Sequence, residues 1–553
     1  MKKLIVLLAG SISFLFGAAQ KTPAWVKSAI FFQIYPSSYQ DSNGDGFGDL
    51  KGIQSRLDYI QSLGVNSIWL NPIWKSGFKD GGYDVIDFYQ VDPRFGTNTE
   101  FIQLAKEVHR RGMHLILDLV AGHASNESIW FKQSMEADKN LQYSDYFIWA
   151  PIRPKDLSSQ DSAKFVEANA PRDKFYVKNY YDAQPALNYG YAKPKPNHPW
   201  EQPVDAPGPS AVRRELKNII TFWLERGADG FRVDLASSLV KNDPTKSATI
   251  ALWKELNTWF DQKFPEGVMI SQWSNPKQSI GEAGFDVDFF LRPGKLTSAV
   301  DVGKKTDGKV YFDRKGEGSV SDWEIYFKDQ YESTLNKGYV SLPTGSHGAS
   351  RMANADRKDP ADLKVLLTFV LTQPGVPMIY YGDEIGMKFL VNEPEVDGSR
   401  NRSGSRTPMQ WDESQNAGFS TAPTDKIYLP IDPDANRPTV LKQEKDPKSQ
   451  LNYLRALVKL RSSSAALNND GGLKFLSDTT QPYPLVYLRY SGNEKYIIAI
   501  NPSNKAVEAK INTQGSTRAT YALGTIEGGK YTVGKSADTI KLPAISAAIF
   551  KLD

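Results

Sequence analysis

The 553-residue chain contains no cysteine, which removes disulfide staples and thiolate chemistry from consideration and is compatible with an exported protein that uses no disulfides. It also lacks a strong charge of either sign. Its 67 Lys and Arg against 63 Asp and Glu leave a formal charge of +4, which gives no basis for a nucleic-acid or acidic-membrane partner. Beyond Phe16 no segment is long and apolar enough to span a bilayer, so a soluble mature chain is expected. No cysteine follows the N-terminal apolar run, which argues against a lipid anchor, and no internal repeat or low-complexity tract is visible.

What is present begins with an address. Lys2 and Lys3 precede an apolar run from Leu4 to Phe16 and the small residues Gly17-Ala18-Ala19. That order predicts a signal peptide over residues 1–19, with cleavage near Ala19, and a secreted or periplasmic protein. The length implies two or three domains. Aromatics make up 12% of the chain, compatible with sugar-stacking surfaces.

Strand-like runs at 29–35, 65–70, 113–120, 228–235, 268–273, 285–291, 339–343 and 376–381 alternate with helical or connecting stretches. Stretches 53–63, 99–111 and 211–226 carry apolar residues at three-to-four spacing. Eight strands with helices outside predict a (β/α)8 barrel over 20–124 and 210–470. Residues 125–209, rich in Pro, Tyr, Asn and Asp, read as a subdomain inserted after the third strand. Residues 471–553 carry short alternating runs such as Tyr496-Ile497-Ile498-Ala499-Ile500, which predict a C-terminal antiparallel β-sandwich.

In such a barrel the C-terminal strand ends carry chemistry. Those ends supply Asp118 and His123, Arg232 and Asp234, Gln272, and His347. Arg232 and Asp234 share one strand face. The pair suits an ionised nucleophile, with Arg232 lowering the carboxylate's pKa; a purely structural ion pair is the alternative. A second signal is Asp41-Ser42-Asn43-Gly44-Asp45-Gly46-Phe47-Gly48-Asp49, oxygen ligands at alternate positions with Gly at the turns, like the first part of a calcium loop.

Several motifs together carry a resemblance: Gln33-Ile34-Tyr35-Pro36, Asp118-Leu119-Val120-Ala121-Gly122-His123, Gly230-Phe231-Arg232-Val233-Asp234 and Ser405-Arg406-Thr407-Pro408-Met409-Gln410-Trp411-Asp412. The chain resembles glycoside hydrolase family 13, the α-amylase superfamily, in its oligosaccharide α-glucosidase branch. The resemblance implies α-gluco-oligosaccharide ligands and a retaining mechanism with Asp234 as nucleophile oriented by Arg232. It implies sugar contacts from Asp80, Tyr83, Asp118, His123, His347 and Arg402, with Tyr83 as an aromatic platform and Asp80–Arg402 as a clamp on the terminal sugar. It also implies a structural Ca2+ held by Asp41, Asn43, Asp45, the Phe47 carbonyl and Asp49.

The departures are as informative. Gln272 stands where the family has its acid/base Glu, and an amide has no proton to give near neutral pH. Ser346-His347-Gly348 replaces Asn-His-Asp, so the third catalytic Asp is Gly348. Gly122 replaces an Asn, and Gln184-Pro185-Ala186-Leu187-Asn188 lacks the usual acidic residue at Ala186. The expectation is an exported protein that binds α-glucosides and hydrolyses them very poorly. The alternatives are an active α-glucosidase or α-amylase with an unrecognised proton donor, or a non-catalytic interaction scaffold.

Overall fold

The computed structural model describes residues 22–290, 309–354, 357–477, 482–513 and 518–553. The expected signal segment 1–19 and Leu291, the last residue of the sixth expected strand, lie outside them. Eight parallel strands close into a barrel: β1 (Phe31–Ile34), β2 (Ser67–Leu70), β3 (His114–Leu119), β4 (Gly230–Val233), β5 (Val268–Ser271), β6 (Val287–Phe289), β7 (Tyr339–Pro343) and β8 (Val376–Tyr380). Each pairs with its neighbour in chain order, and β8 returns to β1. All eight lie inside the expected stretches, and the Tyr339–Pro343 bounds coincide with expectation.

Both strand faces are buried, inward against the barrel axis and outward against helices, so the strands are near-continuous apolar runs. Phe31, Ile116, Ile270 and Met378 share an inner cluster, while Phe32, Leu117, Met269 and Ile379 join the outer core. Because strand side chains alternate with period two, Gln33 follows Phe31 inward and Asp118 follows Ile116 inward. The barrel floor is therefore apolar and its C-terminal end polar. That end is where the site sits.

The β5 run ends earlier than expected for a specific reason. Asp288 on β6 accepts N–H groups from Trp273 (3.0 Å), Ser274 (3.2 Å) and Asn275 (3.0 Å). The carboxylate replaces a neighbouring strand, and the chain bends onto it just past Gln272. Burial pushes the Asp288 carboxyl up to about 6, opposed by the hydrogen bonds it receives.

The helix Asn98–Arg110 opens on a reciprocal cap between Thr97 and Glu100 and buries Phe101, Leu104, Ala105 and Val108. The expected helix 53–63 is instead two, Leu50–Ser55 and Leu57–Ser62, broken at Arg56, whose guanidinium lies 4.1 Å from the Trp411 ring centroid. The helix expected over 211–226 spans Pro207–Leu224. Pro207 occupies the first helical position, where no intrahelical N–H bond is required, so this Pro-rich run starts a helix rather than ending a loop. The end expected for the insert, at 209, thus falls within a barrel helix.

Between β3 and that helix, strands Trp149–Ala150, Phe165–Glu167 and Phe175–Val177 form a small antiparallel sheet with its own apolar core. From Gly472 the chain forms a five-stranded and a three-stranded antiparallel sheet, with Val486, Ile497, Ile540 and Phe550 in a shared core. Among the described residues, no helix is long and apolar enough to cross a membrane.

Candidate functional site

The barrel register builds the centre of the site. Asp118 on β3 lies directly beside Arg232 on β4, and the two pair at 2.7 Å. Just past the strand ends, Asp234 N donates to Leu119 O and Gln272 N to Val233 O. These bonds carry the strand geometry one residue further and fix both side chains at the rim. The Arg232 guanidinium binds Asp234 Oδ1 at 2.9 Å through one nitrogen and Gln272 Oε1 through the other. Leu235 N also donates to Gln272 Oε1, at 3.2 Å. Two donors on the amide oxygen fix the flip of Gln272. Its Nε2 is left without a partner among the described residues.

A cavity of about 260 Å3 opens there, lined by Asp80, Tyr83, Asp234, Gln272, His347 and Arg402 together with Gly348. Asp80 and Tyr83 both reach it because Gly81 (φ 58°) and Gly82 (φ 98°) turn the chain between them through left-handed conformations. A Cβ on Gly81 would meet Arg406 at 2.4 Å. Arg402 pairs with Asp80 Oδ1 at 2.6 Å, and Gln184 from the insert donates to Asp80 Oδ2 at 2.9 Å. The expected clamp pair is therefore formed and braced from the insert.

Asp118 and His123 do not line the cavity; both stand behind Tyr83. The Tyr83 hydroxyl donates to Asp118 Oδ2 (2.9 Å) and accepts from His347 Nε2 (2.8 Å). His347 Nδ1 accepts from Gln33 (2.9 Å) and Asn71 (3.1 Å). Its ring is nearly parallel to those of Tyr83 and Tyr35, with centroids 5.4 and 6.3 Å away. With both nitrogens bonded, His347 lines the cavity without offering it a free N–H. Burial, with the charges of Arg406, Arg232 and Arg402, holds its pKa well below the ordinary histidine value.

His123 donates from Nε2 to Tyr83 O (3.0 Å) and accepts at Nδ1 from the Asn179 amide (3.1 Å). It is a buried neutral histidine, pushed down to about 4 by desolvation. Asn179 fits because residue 122 is Gly: a Cβ there would meet Asn179 Nδ2 at 2.7 Å. Sequence reasoning missed Asn179, Asn71 and the role of Gln33. The inward parity of Gln33 with Phe31 was an available signal, as was that of Asn71 with Trp69 one residue past β2, where Asn71 N still donates to Ile34 O. Asn179 lies in an irregular segment with no period to reveal it.

One expectation is corrected. Arg232 was expected to hold the Asp234 carboxyl low, but burial outweighs it and the net shift is upward, with Arg232 opposing and Asp80 adding to the rise. Asp118 moves the same way, to about 6, through burial against the opposing Arg232. The other expected catalytic position, Gly348, is open space: a Cβ there would meet nothing nearer than Ser346 Oγ at 4.0 Å. The exposed Glu282 lies outside the lining, and the described residues lining the cavity offer only Asp80 and Asp234 as carboxyl groups.

In the 41–49 loop, Asp41 accepts N–H groups from Asn43, Gly44 and Gly46, Asn43 accepts from Asp45, and Asp45 accepts from Phe47. Asp49 caps the Leu50–Ser55 helix through Gly52 N. Ser420 Oγ also donates to Asp41, and Ser42 N and Oγ donate to Asp49. The oxygens are hard donors of the kind Ca2+ takes, but those of Asp41 and Asp49 are already bonded within the turn and would have to exchange some of these bonds for the ion. Among the described residues no three His, Cys, Asp or Glu side chains gather closely enough to hold a metal by themselves. The Asn43 amide and a backbone carbonyl such as that of Phe47 would have to complete the set.

Comparison with known proteins agrees with the geometry. Residues 33–470 match the family profile described as "Alpha amylase, catalytic domain". An α-glucosidase from Culex pipiens is 31% identical over 83% of this chain and 79% of its own length. An oligo-1,6-glucosidase from Parageobacillus thermoglucosidasius is 30% identical over 87% of this chain and 91% of its own. Among solved structures, an isomaltulose synthase mutant from Erwinia rhapontici in complex with sucrose superposes with a TM-score of 0.78 at 25% identity, covering 96% of this chain and 99% of that one. The chain belongs to the α-amylase superfamily, in its oligosaccharide-glucosidase-like branch.

Proposed function

We propose that this is an exported α-glucoside-binding protein whose retaining-type site hydrolyses maltooligosaccharides slowly or not at all. The observation that carries the reading is the Gln272 amide, fixed beside Asp234 with its oxygen on Arg232. Retaining hydrolysis needs a nucleophile and an acid that later serves as base. Asp234 remains for the first role. Gln272 Nε2 can donate a hydrogen bond to a glycosidic oxygen but cannot transfer a proton to it. At Gly348 no group grips the distorted sugar. The chemistry thus stops at recognition: Asp80 and Arg402 hold the terminal sugar, and the Tyr83 and His347 rings supply its apolar wall.

Export rests on the charged, apolar, small-residue order of residues 1–19. The 41–49 loop is proposed to hold a structural Ca2+ through Asp41, Asn43, Asp45, Phe47 O and Asp49, away from the cavity. The deciding experiment pairs calorimetric titration of maltotriose with an assay of glucose release from it. Saturable binding with release at least about 10³-fold below the Gln272→Glu, Gly348→Asp double variant supports the reading, since loss of an acid alone spans ~10²–10⁴. Ordinary turnover by the unaltered chain would overturn it.

A further inference from the structure

A second cavity, of about 490 Å3, lies at the seam between the insert and the loop that follows β4. Backbone pairing closes the seam: Lys241 N donates to Gly190 O and Ala192 N to Lys241 O, both at 2.9 Å. The Lys241 ammonium reaches only neutral acceptors, Asn179 Oδ1 at 3.2 Å and Ser238 O at 3.0 Å. No carboxylate pairs with it among the described residues, nor with Lys246, which lines the same cavity.

The four carboxylates in the wall already have partners other than Lys241 and Lys246. Asp243 accepts from Thr249 N and Oγ1. Glu201 accepts from His198 and Lys195 N. Asp156 is taken by Lys195 and His198, and Asp161 by Lys164. The Tyr191 hydroxyl, in the same lining, makes no hydrogen bond among the described residues. Desolvation, then repulsion from Lys164 and Lys246, depresses Lys241 to about 7. Of the lysines in the wall, Lys164, Lys178 and Lys195 each pair with a carboxylate, and Lys241 and Lys246 are the two left without one among the described residues.

We propose that this seam cavity is an anion site for a phosphate group, bound by Lys241 and Lys246 with the Tyr191 hydroxyl. A tetrahedral oxyanion offers several acceptors at once, and lysine ammoniums serve it as point charges. Cavities between structural units are common ligand sites. The volume leaves room for more than the phosphate itself, so the group is either free phosphate or the phosphate of a small monoester. This assignment is independent of what the barrel cavity binds.

The test is calorimetric titration of the full-length protein with inorganic phosphate at constant ionic strength, with chloride as control, and again with glucose 6-phosphate. Saturable binding is expected, weakened roughly tenfold or more by Lys241→Met and by Lys246→Gln, since one charged hydrogen bond is worth about that factor. Tyr191→Phe should weaken it less. If Lys241→Met fails to fold, Lys246→Gln and Tyr191→Phe carry the test. Tighter binding of glucose 6-phosphate would identify a phosphorylated sugar as the ligand, and equal affinities would identify free phosphate. No saturable binding of either, or affinity unchanged in the lysine variants, overturns the proposal.

Discussion

Gln272 receives a hydrogen bond from Arg232 on its amide oxygen, and the same guanidinium holds Asp234 at 2.9 Å. One cation thus sets the orientation of both residues that a retaining mechanism would use. It also leaves the Gln272 nitrogen, among the described residues, as the unpartnered end of the amide in the cavity wall. A Glu at this position would meet the same guanidinium, which favours its ionised form and works against its use as an acid.

Restoring the acid should therefore recover only part of the activity. Gln272→Glu is expected to raise glucose release from maltotriose by about 10²-fold or more. Adding Gly348→Asp should give roughly another 10²–10³-fold, the range for a stabilising group. The open space at Gly348 predicts that the second change leaves the melting temperature nearly unaltered. A double variant as inactive as the starting chain would show that the rest of the site is also lost.

Asp234 should betray itself with a good leaving group. An activated aryl α-glucoside needs no protonation, so aryl alcohol is expected to be released, and azide should speed turnover by attacking the glycosyl intermediate. Asp234→Asn should abolish both effects. Because burial raises the Asp234 carboxyl, the rate should fall on acidification from a higher pH than an ordinary Asp would give.

The buried histidine predicts a pH-dependent stability. His123 sits near 4 in the fold against about 6.5 unfolded. Between those values the unfolded chain binds the extra proton, so stability rises with pH there. The contribution, on the order of 3 kcal/mol, is full above about pH 6.5 and is lost as the pH falls through the folded value. Asp118 acts in the opposite sense: its raised carboxyl favours the fold at low pH and loses that effect as the pH rises through about 6. The stability difference between the parent and His123→Asn, measured by denaturant melts from pH 7.5 to 4.5, isolates the histidine and should shrink on acidification.

Added calcium should raise the melting temperature and a chelator should lower it, while maltotriose affinity stays unchanged. Asp45→Ala should remove the calcium response at small cost otherwise, because Asp45 is exposed and bonds only within its own turn. Asp41→Ala is the poorer test, since Asp41 also accepts three backbone N–H groups. A melting temperature indifferent to both additions would leave the loop as a turn without a metal.

The barrel was legible because its strands are buried on both faces and announce themselves as apolar runs; Tyr339–Pro343 is read to the residue. Strand ends were less so, because what stops β5 is Asp288, a side chain on the next strand rather than a neighbour in sequence. The Asp80–Arg402 pair follows from motifs far apart in the chain, and the fold brings them to 2.6 Å. Placement of His123 behind Tyr83 was not legible. It depends on Asn179, which lies in a stretch without periodicity, and on the balance between burial and charge, which no motif encodes.

Gly122 and Asn179 have a consequence for how this chain can be recombined. The amide of Asn179 occupies the room that a side chain at 122 would take, and supplies the hydrogen bond that His123 needs. A chimaera whose grafted insert lacks an Asn at the position of Asn179 would leave a hole beside Gly122 and an unsatisfied ring nitrogen. The reciprocal graft, this insert on a barrel with Asn at 122, would force two amides into one seat. The two segments are interlocking halves and travel together or not at all.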